Sequence, residues 1–165
     1  MRTDKIYLIG FMGAGKSTTA RELGRRLGWR VEDVDERIEA RERRTVADIF
    51  ADQGEGYFRA AEREVIRQLA GQRELVVATG GGTFIDPENR SFIREDGATV
   101  WLDVPLATAL ERAPRDGRRP LAADRDQFEA LYVARRAAYQ QAHARFDASV
   151  PTEELVERIL DWLGY

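Results

Sequence analysis

The sequence contains no cysteine, one histidine (His143) and only two lysines, Lys5 and Lys16, among its 26 basic residues, which leaves 24 arginines. The absence of cysteine excludes disulfides, thiolate metal sites and cysteine nucleophiles. A single histidine leaves little material for a multi-histidine metal site or a Ser-His relay, and His143 reads as a surface or helix-packing residue. No apolar run approaches the roughly 20 residues that a membrane helix needs. The first apolar run, at 6–9, is shorter than the roughly 7–15 residues of a signal-peptide core, and no small-residue cleavage site follows it. With 29 acidic residues the net charge is −3, which argues against general nucleic-acid binding. What remains is 43% hydrophobic and 33% charged over 165 residues, the composition of one globular domain large enough to bury a core. These exclusions lead to the expectation of a single soluble, cytoplasmic domain spanning 1–165, with no membrane or nucleic-acid partner.

Short apolar, β-branched or aromatic segments bounded by Gly, Pro or Asp predict strands at 6–9, 30–34, 75–78 and 100–104, with a fifth at 148–150. Between them, apolar residues at helical spacing predict helices over 17–27, 55–70, 106–112, 126–144 and 152–163. Strands alternating with helices imply an α/β fold in which a parallel sheet is covered on both faces. Ligands in such folds sit at the C-terminal ends of the strands. Lys5 precedes the first strand and is expected only to flank it.

Gly10-Phe11-Met12-Gly13-Ala14-Gly15-Lys16-Ser17 matches G-x-x-x-x-G-K-[ST] and lies between an apolar strand and a helix start. Glycines there let the backbone wrap a phosphate and point successive N–H groups at it. The helix N-terminus adds partial positive charge. Lys16 can reach the β- and γ-phosphates, and the Ser17 hydroxyl can ligate Mg²⁺. The loop implies a nucleoside triphosphate but not its use; kinases, GTPase switches and mechanical ATPases compete. No lysine follows an asparagine, so the guanine-specific N-K-x-D motif is missing. Large ATPase modules carry more chain and a strand ending in Asp-Glu. The strand that ends in Asp103 offers either a metal ligand or, more simply, a strand terminator.

Glu32-Asp33-Val34-Asp35 ends the second strand. Residues two apart in a strand share a face, so Asp33 and Asp35 would project together near the phosphate loop of the adjacent first strand. One aspartate could hold Mg²⁺ and the other could draw a proton from an acceptor hydroxyl; the alternative is that both cap a helix over 36–44. Thr79-Gly80-Gly81-Gly82-Thr83 removes side-chain bulk where a ligand would approach backbone. Phe58-Arg59 at a helix start could form a carboxylate fork with an apolar wall, although most of the arginines must be solvated. The charged, Gly/Pro-punctuated stretch at 114–126 is either a solvated loop or a mobile lid carrying arginine.

Taken together, the segments GFMGAGKST (10–18), DVD (33–35), ADIF (47–50), GEGYFRAAE (54–62), TGGG (79–82), RRPL (118–121) and RRAAY (135–139) resemble the shikimate kinase family over nearly the whole chain, in order and spacing. That family transfers the ATP γ-phosphoryl group to the 3-hydroxyl of shikimate with Mg²⁺. The resemblance implies a three-layer α/β/α P-loop kinase fold with a five-stranded parallel sheet, a lid at about 113–126 and a substrate-binding helical segment at about 35–62. It implies that Gly13, Ala14, Gly15, Lys16, Ser17 and Thr18 hold the ATP phosphates, with Arg112 near the nucleotide. Ser17 and Asp33 would hold the metal, and Asp35 would bind the shikimate hydroxyls as the base. Arg59 and Arg135 would grip the carboxylate, and Glu62 would orient Arg59. Phe50 and Phe58 would wall the ring, Gly80, Gly81 and Gly82 would line it, and Arg119 would meet the transferring phosphoryl group from the lid. The doublet Arg135-Arg136 leaves two candidates for the carboxylate, and the four-residue spacing to Tyr139 favours Arg135. The family is expected to act as a monomer. A gluconate-type or nucleoside-monophosphate kinase is the alternative, and an ATP-binding domain without chemistry is the rival of a different class.

Overall fold

The computed structural model describes residues 3–112 and 125–165. Arg119 and all but the last two residues of the expected lid lie outside the described residues. Five parallel strands, β1 (Lys5–Ile9), β2 (Arg30–Asp33), β3 (Leu75–Ala78), β4 (Ala98–Asp103) and β5 (Ala144–Asp147), form one sheet in the order β2-β3-β1-β4-β5. Seven α-helices accompany them among the described residues: α1 (Lys16–Leu27), α2 (Val34–Glu42), α3 (Val46–Gln68), α4 (Pro87–Asp96), α5 (Leu106–Arg112), α6 (Arg125–Tyr139) and α7 (Thr152–Leu163). The expected α/β fold class is the one observed.

The middle of the sheet explains its own sequence. Every residue of β1 and β3 is buried, so both sheet faces are covered and a continuous apolar run replaces the alternation of a half-exposed strand. Registers such as Tyr7 opposite Val77 and Leu8 opposite Val100 stack these side chains across the sheet. Each fully buried Val, Leu or Ile contributes about 1.5–3 kcal/mol. The edge strands are half-buried and polar at alternate positions.

Several expectations need correction. The fifth strand is at Ala144–Asp147, not 148–150, and α6 stops at Tyr139, five residues before the expected end. The periodicity in 126–144 ran on into a turn and a half-polar edge strand. β3 separates β2 from β1, so the two are not adjacent; α1 crosses the gap instead. The long α3 begins at Val46, nine residues before expectation, because Gly54, at φ 81° and ψ 173°, joins two helical stretches through a kink. Helix α4 is additional to the expected helices, and its start is well marked: Asp86 accepts N–H bonds from Glu88 and Asn89, and Pro87 occupies the first turn.

Lys5 does not merely flank the sheet. It is the first residue of β1, its side chain is fully buried, and its ammonium pairs with the Asp96 carboxylate and donates to Leu69 O at 2.5 Å. The Tyr7 hydroxyl donates to Asp96 at 2.6 Å, and burial pushes the Tyr7 phenol far above its ordinary pKa. This cluster closes the N-terminal end of the strands, opposite the phosphate loop. Among the described residues, no helix is long and apolar enough to cross a membrane.

Candidate functional site

The phosphate loop joins β1 to α1 and needs glycine in two ways. Gly13 and Gly15 both have φ of 83°, in the left-handed region that other residues rarely adopt. Gly13 also lies under α5, where a Cβ would come within 3.1 Å of Ala109 O and 3.2 Å of Arg112 Cβ. Lys16 is buried, and its ammonium donates to Gly10 O at 2.7 Å and Phe11 O at 3.0 Å. Arg112, the last residue of α5, donates to Gly13 O at 3.3 Å. Ala14 is buried and Thr18 exposed on the same loop–helix junction.

Asp33 and Asp35 do not project from one strand face as expected, because β2 ends at Asp33 and Val34 already begins α2. Asp33 is the N-cap of α2, accepting from Glu36 N at 3.1 Å, while its other oxygen accepts from Ser17 Oγ at 2.5 Å. A hydroxyl and a carboxylate oxygen at the phosphate loop supply the hard oxygen donors that Mg²⁺ takes, and an ion with so few protein ligands keeps several waters. Among the described residues there is no cluster of three or more His, Cys, Asp or Glu side chains suited to a metal, so this pair is the fitting candidate.

The glycines 80–82 follow β3 and are tied to β1 by Thr79, whose amide and hydroxyl both donate to Leu8 O, at 3.2 and 2.9 Å. Each glycine makes room for a different charged side chain. A Cβ at Gly80 would lie 2.8 Å from Asp35 Oδ1 and 3.3 Å from Glu62 Oε2. At Gly81 it would lie 2.9 Å from Arg135 Nη1 and 3.7 Å from Met12 N of the phosphate loop. At Gly82 it would lie 2.6 Å from Arg59 Cζ. None of the three has positive φ, so the requirement is space, not backbone conformation. One turn thus gathers Asp35, Glu62, Arg59 and Arg135 beside the phosphate loop.

Glu62 is fully buried on α3 and organises this group. Its two oxygens accept from Arg59 Nη1 at 3.1 and 3.2 Å, and one accepts from the Thr83 hydroxyl at 2.8 Å. Thr83 in turn accepts from Gly80 N at 3.0 Å. Burial pushes the Glu62 carboxyl above its ordinary pKa, against the pull of Arg59 and Thr83, and the neighbouring Asp35 charge pushes the same way as burial. Arg59 Nη2 also lies 3.5 Å from exposed Glu55. Arg135 is buried on α6, its guanidinium 5.8 Å from the Phe11 ring centre. Burial lowers its pKa from the ordinary arginine value. Tyr139, one turn on, donates to Gly81 O at 2.5 Å.

The doublet separates cleanly. Arg135 faces the glycines, whereas Arg136 turns to Asp103 at the end of β4, at 2.8 Å. Asp103 therefore ends its strand as an arginine partner. Phe58 is buried, its ring 5.3 Å from the Arg59 guanidinium and 4.9 Å from the half-buried Phe50 ring. His143 is half-buried: its Nδ1 accepts from Thr99 N at 3.0 Å, and burial lowers its pKa. The sequence reading gives Thr83 no role beyond its place in the Thr-Gly-Gly-Gly-Thr run, and Tyr139 none beyond marking Arg135 by its spacing; the structure makes both hydrogen-bond partners within the site. Phe11, which packs edge-on against Phe128 and Tyr132 of α6 at 5.0 and 5.3 Å, had no signal beyond its place in the loop.

Comparison with known proteins fits this arrangement. The family model described as shikimate kinase matches residues 12–164. A shikimate kinase of Persephonella marina is 44% identical over 141 residues, covering 85% of this chain and 86% of the relative. The solved structure of shikimate kinase from Acinetobacter baumannii in complex with shikimate superposes with a TM-score of 0.93 at 34% identity, covering 98% of this chain and 93% of that one. A gluconokinase from Sinorhizobium meliloti, by contrast, is 21% identical with a TM-score of 0.64, a likeness of fold alone. On the family model and the extent of the match, the chain belongs to the shikimate kinase family.

Proposed function

We propose that this enzyme transfers the γ-phosphoryl group of ATP to the 3-hydroxyl of shikimate, with the site residues in the following roles. The observation that carries the assignment is the turn at 80–82, which sets two guanidiniums and two carboxylates against successive glycines in contact with the phosphate loop. Shikimate is a small ring bearing one carboxylate and several hydroxyls. Arg59 and Arg135 hold the carboxylate through charge-assisted hydrogen bonds, and Glu62 keeps Arg59 aimed. Phe50 and Phe58 wall the ring, and the glycine backbone takes a hydroxyl. Asp35 orients the 3-hydroxyl and accepts its proton as the hydroxyl oxygen attacks the γ-phosphorus. The leaving group is ADP.

Gly13, Ala14, Gly15, Ser17 and Thr18 cradle the phosphates through backbone N–H groups, and Lys16 neutralises charge on the β- and γ-oxygens. Ser17 and Asp33 would hold Mg²⁺, which supplies further charge neutralisation when bound. Arg112 contacts the nucleotide. Arg119, which lies outside the described residues, takes the role that the family resemblance implies for it, meeting the transferring phosphoryl group. The enzyme works as a monomeric single domain in the cytoplasm, without nucleic-acid or membrane partners; its net charge of −3 accords with that.

A coupled ADP-release assay over shikimate, gluconate and nucleoside monophosphates tests the reading. Turnover with shikimate alone is expected. Turnover with another acceptor and none with shikimate would overturn it, and ATP binding without acceptor-dependent ADP release would point to a domain that keeps the fold without the chemistry.

A further inference from the structure

Helix α6 has two faces with two separate tasks. Phe128, Arg135 and Tyr139, its buried residues, lie seven and four positions apart and so share one face, turned to Phe11 and Gly81. Tyr132 and Arg136, four apart, lie on the adjacent face. The Tyr132 hydroxyl donates to Val104 O at 2.6 Å and accepts from Arg136 Nη1 at 2.9 Å. The Arg136 guanidinium makes a two-pronged pair with Asp103, Nη1 to Oδ1 at 2.8 Å and Nη2 to Oδ2 at 3.3 Å, and stacks 5.0 Å from the Trp101 ring centre.

Asp103 is itself well fixed. It is the last residue of β4, its backbone carbonyl accepts from Ala148 N at 2.8 Å, and Arg145 of β5 donates to Oδ2 at 2.9 and 2.6 Å. The pair therefore ties α6 to a point on the rigid sheet. Successive helical residues are about 100° apart around the axis, so fixing where Arg136 points also fixes where Arg135 points.

We propose that Asp103 is a positioning residue for substrate binding: by gripping Arg136 it sets the rotation of α6, and so aims Arg135 at the substrate carboxylate. The proposal rests on the assignment of Arg135 to that carboxylate. A functional group has to be held to about 0.5 Å and 10–20°; the single hydroxyl contacts of Tyr132 with Val104 O and Tyr139 with Gly81 O hold α6 at two points but leave it some rotation. A planar guanidinium gripped by a carboxylate and stacked on an indole removes it. Arg145 shares the same carboxylate but belongs to β5, so it serves as an internal control: its loss weakens the cluster without releasing α6.

The test compares Asp103→Asn, Arg136→Gln, Arg145→Ala and Arg135→Ala by steady-state kinetics in both substrates and by thermal unfolding. Asp103→Asn and Arg136→Gln are expected to raise KM for shikimate three- to tenfold, with KM for ATP and kcat within twofold of the parent. Arg145→Ala is expected to leave the shikimate KM unchanged. A lowered unfolding temperature with shikimate KM unchanged in both Asp103→Asn and Arg136→Gln overturns the proposal, as does an equal rise in Arg145→Ala. Should Asp103→Asn fail to fold, Arg136→Gln carries the test alone. If Arg135→Ala leaves shikimate affinity intact, the carboxylate assignment itself is wrong; if it weakens binding while Asp103→Asn and Arg136→Gln do not, only the positioning role fails.

Discussion

The Arg59 guanidinium occupies the space that a side chain at residue 82 would need: a Cβ on Gly82 would lie 2.6 Å from Arg59 Cζ. Gly82 has φ −99° and ψ −7°, open to any residue. Gly82→Ala is therefore expected to cause no backbone strain but to push Arg59 from its place. Shikimate KM should rise on the order of 10–100-fold, since misplacement by about 1 Å is worth that much. Stability should fall by no more than about 1–3 kcal/mol. Kinetics in both substrates and denaturant unfolding check this; unchanged shikimate KM would mean that Arg59 is free to move aside.

Glu62 makes stability depend on pH in the sense opposite to an ordinary paired carboxylate. Its folded pKa is raised, so between the unfolded value, about 4.3, and the raised folded value the native state holds a proton that the unfolded chain has released. Its contribution is complete below the unfolded pKa and is lost as pH rises through the folded pKa. Glu62→Gln removes this component. The stability difference, Glu62→Gln minus parent, measured by denaturant unfolding, is expected to shift in favour of the variant as pH rises through that window. A flat difference would show that Arg59 and Thr83 fully offset burial. The same variant should weaken shikimate binding, because an amide leaves one oxygen to accept from Arg59 Nη1 where Glu62 uses two.

Asp35→Asn keeps size and removes the base. The expected result is a kcat lower by about 10²–10⁴-fold with ATP affinity nearly unchanged. Near-normal turnover would remove Asp35 as the proton acceptor.

The Lys5–Asp96 pair lies at the far end of the sheet from the phosphate loop and should matter for stability alone. Lys5→Met leaves Asp96 facing a buried apolar chain and is expected to cost about 3–5 kcal/mol. Adding Asp96→Asn should recover part of that loss, with kcat and KM unaffected in the surviving folded fraction. Urea unfolding of both variants measures it; equal stability of Lys5→Met and the parent would show that the ammonium contributes nothing.

The central strands could be read from sequence because burial on both faces leaves an uninterrupted apolar run, as in Ile6, Tyr7, Leu8 and Ile9. β5 could not: Ala144–Asp147 is an edge strand with polar residues at alternate positions, and the helical pattern before it has no glycine or proline to stop it. α4 was legible in principle from Asp86-Pro87 at its start and Gly97 after its end. Within the site, local motifs carried the phosphate loop and Phe58-Arg59, and the spacing to Tyr139 favoured the arginine that faces the glycines. The contact of each glycine with its own charged neighbour was hidden, because Asp35, Arg59 and Arg135 reach them from three different helices. The partners of Asp103 were hidden because they come from distant parts of the chain, Arg136 on α6 and Arg145 on β5.

Both lysines of this arginine-rich chain are buried, Lys5 at 0% and Lys16 at 6% exposure. Among the described residues the exposed cationic side chains are therefore guanidinium groups, and reagents that modify amines find no exposed lysine. Acylation, carbamylation or amine-directed crosslinking should leave both lysines of the folded enzyme almost unmarked. A modification that does abolish activity can be traced to one ammonium, in the phosphate loop, and its protection by ATP would read out nucleotide occupancy directly.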